Sequence, residues 1–142
     1  MIFQNNKEDT RSSFFNSWKK HLNNEPLSAL EQQLVDVISE HLEFQDFFTQ
    51  KTLADADELI TEDKINPFLH LGLHLALRDQ ITLDRPLGIK TIYEGLLQRH
   101  GDKLYVEHLM IEPLALCLLD AQRNNTIPDE GRYLNACKEL LL

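Results

Sequence analysis

Asn66-Pro67-Phe68-Leu69-His70-Leu71-Gly72-Leu73-His74-Leu75-Ala76-Leu77-Arg78-Asp79-Gln80 is the stretch that decides the fold. Asparagine caps a helix, and proline fits its first position, where a missing N–H costs nothing. From Phe68 to Leu77 the only polar side chains are His70 and His74. A helix that is apolar on nearly every side is a buried one, so the pattern predicts the central helix of the fold, ending near Ile81 or Leu83. His70 and His74 lie four apart and share one face, and Arg78 extends that rail by one more turn. Buried polar groups need partners, so the rail is where a function would sit.

The flanking sequence repeats the helical pattern. Phe14, Trp18 and His21 or Leu22 give a first helix over 10–22 an apolar face, with Trp18 and the phenylalanines as core. Ser28-Ala29-Leu30-Glu31 is a capping box. It opens a second helix that is expected to reach Phe47 or Phe48, with His41 on its core-facing side. Residues 49–65 are acidic and weakly patterned, and are expected to form a long solvated connection. The spacing of a calcium-binding EF-hand loop is missing there. After the central helix, Asp84-Arg85-Pro86-Leu87-Gly88 reads as a turn. A fourth helix over 88–99 ends at Gly101. The fifth, over 102–123, is expected to turn Leu104, His108, Ile111, Ala115 and Leu118 or Leu119 to the core, and to bend or break at Pro113. The sixth opens at Pro128-Asp129-Glu130. The expected fold is therefore all-α, a single-domain bundle of five to six helices over residues 1–142, with residues 1–9 poorly ordered.

Bulk properties narrow the function. The 142 residues are 42% hydrophobic and 26% charged, as in an ordinary soluble domain. A formal net charge of -9 argues against a phosphate backbone or an anionic membrane as partner. The first residues have no apolar stretch behind a basic end, so no signal peptide is expected. The longest apolar run is half the length of a membrane span. Cys117 and Cys137 read as reduced core thiols of a cytoplasmic protein, with a disulfide between them left open.

Two functional readings lead, beside a third, an anion or small-ligand pocket lined by His70, His74 and Arg78. The leading one is an interaction or structural module whose buried polar network pairs Arg78 with Glu107 or Glu112, and whose partner is another protein or a second copy. The alternative is a metal centre. His108 and Glu112 share a face of the fifth helix, and together with His70 and His74 they make a ligand set suited to zinc or non-haem iron. Facing helices of a bundle build such sites from inward side chains. Glu107 is then the candidate general base. His-Glu-x-x-His is absent.

The run NPFLHLGLHLALRDQ, followed by DRPLGI, EHLMIE, AQR and PDEGRYL, resembles the bacterial domain-of-unknown-function family eighteen-forty-one, small proteins of proteobacteria. The resemblance extends from Trp18 and His21 to the last helix. It implies a cytosolic helical protein and supplies no activity. The family pattern at the end of the second helix often reads His-Pro-Glu-Tyr-His, where this chain has His41-Leu42-Glu43-Phe44-Gln45. With Gln45 in place of the second histidine, that helix is given no ligand.

Overall fold

The computed structural model describes residues 7–60 and 66–142. Among them are eight α-helices and no strand. The all-α expectation holds, and the expected five to six helices become eight. Two compact units divide the chain, residues 1–75 and 76–142, and the division falls inside one helix.

The first unit contains α1 (Lys7–Leu22), α2 (Ala29–Ser39), α3 (Leu42–Gln50), α4 (Leu53–Leu59) and the first half of α5 (Pro67–Leu83). Of the residues expected to be poorly ordered, 7–9 already belong to α1, and 1–6 lie outside the described residues. The capping box at Ser28 forms: Ser28 Oγ accepts the Glu31 N–H at 3.2 Å, and Glu31 Oε1 accepts the Ser28 N–H at 2.9 Å. The other Glu31 oxygen sits 2.8 Å from Lys20 Nζ and ties α1 to α2. Asn66 Oδ1 accepts the N–H groups of Phe68 and Leu69, so α5 starts where the sequence places its cap.

Both additional helices have local causes. The expected second helix is two, α2 and α3, broken at His41, whose φ of -123° and ψ of 81° leave the helical region. In a continuous helix the Val37 carbonyl would accept the backbone N–H of His41. Here the His41 ring Nδ1 lies 2.7 Å from that carbonyl, and the backbone N–H turns to Ile38 instead. A side chain has outcompeted the helix for its own acceptor. The other helix, α4, corrects the expectation of an unstructured connection over 49–65; residues 61–65 lie outside the described residues. Asp55 Oδ2 accepts both the N–H and the hydroxyl of Thr52, a capping pattern shortened by one methylene. Ala56 is fully buried and anchors the helix to the core.

Packing in this unit is aromatic. α1 lies against α2, α3 and α4. Phe14 stacks on Phe48 at 5.9 Å, and Phe68 presents its ring edge-on to Phe14, Phe15 and Phe48. Trp18 is buried, and its indole N–H donates to Thr49 Oγ1 at 2.9 Å. Each such ring contributes about 1.5–3 kcal/mol on burial. This fills the core without using any histidine as an apolar residue.

The second unit contains the rest of α5, then α6 (Ile89–His100), α7 (Lys103–Asn124) and α8 (Glu130–Glu139). Asp84 Oδ1 accepts the N–H groups of Gly88 and Lys90, closing the turn that starts α6. Gly88 there has φ 104°, a left-handed conformation that favours glycine. α7 packs on α6 and α8. Its buried residues are Val106, Glu107, Met110, Ile111, Leu114 and Ala121, whereas His108, Leu118 and Leu119 are exposed. Only Ile111 of the expected core face is buried, because a helix apolar on most sides does not fix its own rotation. Tyr133 donates to Gln80 Oε1 at 2.6 Å. Cys117 and Cys137 are free thiols, and burial pushes Cys137 up to about 11, which makes it an unreactive core thiol.

The break expected at Pro113 is absent: α7 is helical through it. Proline removes one donor from the ladder, and the buried face on both sides of it keeps the helix whole. Pro113→Ala should therefore raise the stability by about 1–3 kcal/mol in urea denaturation, since the lost bond returns. An unchanged or lowered midpoint would show that contacts of the ring itself outweigh the missing donor.

Candidate metal centre

The centre is built on two elements of the first unit. α5 carries His70 and His74 on one face, four residues apart. The α2–α3 break carries His41, which a continuing helix would have placed elsewhere. His41 and His74 are 1% and 0% exposed, and His70 is half-buried. Their ring centroids lie 4.6 Å (His41–His74), 4.9 Å (His70–His74) and 5.1 Å (His41–His70) apart. His74 Nε2 is 3.1 Å from His41 Nε2 and 3.3 Å from His70 Nε2. Each ring offers a nitrogen to one small volume, all within 4.8 Å of one another.

The tautomer of His41 follows from its partner. A carbonyl oxygen only accepts, so Nδ1 carries the proton that goes to Val37, and in the neutral ring Nε2 holds a lone pair. Burial pushes the His41 imidazole below its ordinary value, and His74 adds to this. The bond to Val37 and the carboxylates Glu43 and Glu40 pull the other way. His74 Nε2 then faces two nitrogens with one in-plane position. As an N–H it donates to one neighbour. As a lone pair it accepts from His70 but faces the lone pair of His41. A cation at the centre accepts all three lone pairs at once.

Spacing fits that reading. A tetrahedral ion with bonds of about 2.0–2.1 Å holds its nitrogens about 3.3 Å apart, and right-angled coordination at that length about 2.9 Å. The observed 3.1 and 3.3 Å fall between. The bond from His41 Nδ1–H to a backbone carbonyl is the outer contact that metal-binding histidines use to fix ring orientation. Phe44 stacks on His41 at 5.9 Å and meets His70 edge-on at 5.6 Å, so one apolar ring holds two of the three imidazoles.

His70 and His74 meet His41, which the sequence placed on a core-facing side without giving it a role. His108 and Glu112 stand on α7 of the second unit, and both are exposed. Arg78 and Glu107 form an ion pair in the second unit. Arg78 Nε donates to both Glu107 oxygens at 3.1 Å, and a terminal nitrogen donates to Oε1 at 3.0 Å. Glu107 thus directs both oxygens at one guanidinium, a geometry that stabilises a buried charge rather than exposing a base.

The chain belongs to the family described as Domain of unknown function (DUF1841), which it matches over residues 6–139. No curated protein and no solved structure matches it. No described helix is long and apolar enough to cross a membrane.

The Arg78–Glu107 pair makes an asymmetric prediction. The Glu107 side chain is 1% exposed and that of Arg78 is 21% exposed. Arg78→Met strips donors from a carboxylate that water does not reach, and should cost about 3–5 kcal/mol. Glu107→Leu leaves a guanidinium that can rehydrate, and should cost less. The double variant should recover much of the loss. Urea midpoints of the four proteins check this, and equal losses in the two single variants would contradict it.

Proposed function

We propose that this DUF1841 member is a metal-binding protein whose first unit holds zinc or ferrous iron through the Nε2 atoms of His41, His70 and His74. The observation that carries the reading is the convergence of three ring nitrogens at 3.1 and 3.3 Å, with the His41 tautomer set by Val37. Imidazole donors suit zinc and iron, whereas magnesium and calcium require oxygen. We place the protein in the cytoplasm, which its two free thiols support.

A second reading keeps the chain an interaction module, alone or alongside the metal. Leu116, Leu118 and Leu119 are 55%, 42% and 40% exposed on consecutive turns of α7, and exposed apolar surface of this kind favours a protein partner or self-association. Sedimentation equilibrium reads it: a strict monomer that captures no partner would remove it.

Elemental analysis of untagged protein tests the metal. The expected result is about one equivalent of zinc or iron, restored to apoprotein on reconstitution. His74→Leu and His41→Leu should lose it. Metal at a hundred times its dissociation constant should add about 2.7 kcal/mol of stability to the wild type and nothing to His74→Leu. His108→Ala and Glu112→Ala read the remaining expected ligands in the same titration, a ligand losing affinity and a bystander binding as the wild type does. Metal below about a tenth of an equivalent, with no gain on reconstitution, overturns the proposal.

A further inference from the structure

We propose that the cavity between α7 and α8 of the second unit binds a small organic cation, an ammonium group carried on an aliphatic or aromatic body. It stands on other residues than the metal reading and does not rest on it. The cavity has a volume of about 560 Å³, and all of its lining residues belong to the second unit. Small-molecule sites span about 300–1,000 Å³ and combine an apolar lining with a few polar groups. Leu116, Ala121, Ile127, Tyr133 and Ala136 supply the apolar lining here. Leu116 and Ile127 are 55% and 87% exposed, so apolar surface stands in water that a ligand would cover.

Charge selects the sign of the ligand. Asp120 and Asp129 line the cavity, against one cation, Arg132, which is exposed. Asp129 has one oxygen engaged, accepting the Arg132 backbone N–H at 3.1 Å as the cap of α8. Asp120 is half-buried, and its carboxylate has no hydrogen bond or ion pair with a described residue. A carboxylate partly withdrawn from water and left without a counter-charge gains from an arriving ammonium. Cys117, in the same wall, senses both acids. Its thiol donates to the Asp129 carbonyl at 3.6 Å. Burial raises that thiol above its ordinary value, the bond to Asp129 opposes this, and the charges of Asp129, Asp120 and Glu130 raise it further. The wall is therefore at negative potential, which repels an anion and gives a neutral ligand no charged contact.

Amide shifts of the isotope-labelled chain test this with three probes that share one body: phenethylammonium, phenethyl alcohol and phenylacetate, at equal ionic strength. The expected result is a saturable shift of Cys117, Asp120 and Ala136 with phenethylammonium, a weaker one with the alcohol and none with phenylacetate. Asp120→Asn should raise the dissociation constant of phenethylammonium about fivefold and leave that of the alcohol unchanged. Ala136→Leu, which puts a larger side chain into the cavity, should abolish the shifts of both. Phenethylammonium that moves no amide of α7 or α8, or binds no more tightly than the alcohol, would overturn the inference. An unchanged constant in Asp120→Asn would do the same. The three probes on the wild type decide the case by themselves if either substitution unfolds the chain.

Discussion

The bond from the His41 ring to the Val37 carbonyl is the contact on which the first unit depends. It takes the acceptor that α2 would need to continue, so it ends that helix without proline or glycine. The same bond fixes which nitrogen of His41 keeps its lone pair and turns that nitrogen toward His74. Helix termination and ring orientation are thus one event. Neither would survive without the other: a continuous helix would pair the Val37 carbonyl with backbone and release the ring to another orientation.

The rail along α5 shows two solutions to one problem. His70, His74 and Arg78 follow one another at helical spacing on an otherwise apolar helix, and each is partly or wholly withdrawn from water. Arg78 meets a carboxylate that is more deeply buried than itself, with opposite charge and hydrogen bonds to both of its oxygens. His70 and His74 meet another imidazole instead. Three like groups cannot neutralise one another, since each brings the same chemistry. The first arrangement is an ion pair of opposite charges. The second gains most from a cation that none of its members supplies.

How far these features are legible in the sequence depends on whether local chemistry or packing decides them. The caps at Ser28 and Asn66, the glycine end of α6 and the apolar run of α5 are decided within a few residues, and they stand where the sequence puts them. The α7 rotation is decided by its neighbours. With leucines on most sides, periodicity offered several equivalent faces, and the chosen one exposes His108 and buries Glu107. α4 was legible in part, since Thr52 and Asp55 form a cap pattern, but seven residues, three of them acidic, are too short a run to show a periodic face. His41 was placed on the right side of its helix and given no role. Its role arises from a side chain displacing a backbone bond, and no residue type marks that in advance.

Phe44 links this last point to the chemistry. It lies one turn after the break, at the start of α3, where the chain direction has just changed. Its ring therefore reaches both His41, before it, and His70, on a different element. Had α2 continued, residues 41 and 44 would share a face of one helix, and a stack between them would orient only His41. The change of direction lets one aromatic ring restrain two imidazoles from two elements, while the i, i+4 spacing on α5 restrains His70 relative to His74. Each pair of rings in the cluster is thus fixed by a different physical cause: a helical repeat, a shared aromatic wall and a carbonyl-locked tautomer. Preorganisation of that kind is what a metal centre requires of its supporting contacts. A cluster of histidines assembled merely to fill space would need none of the three.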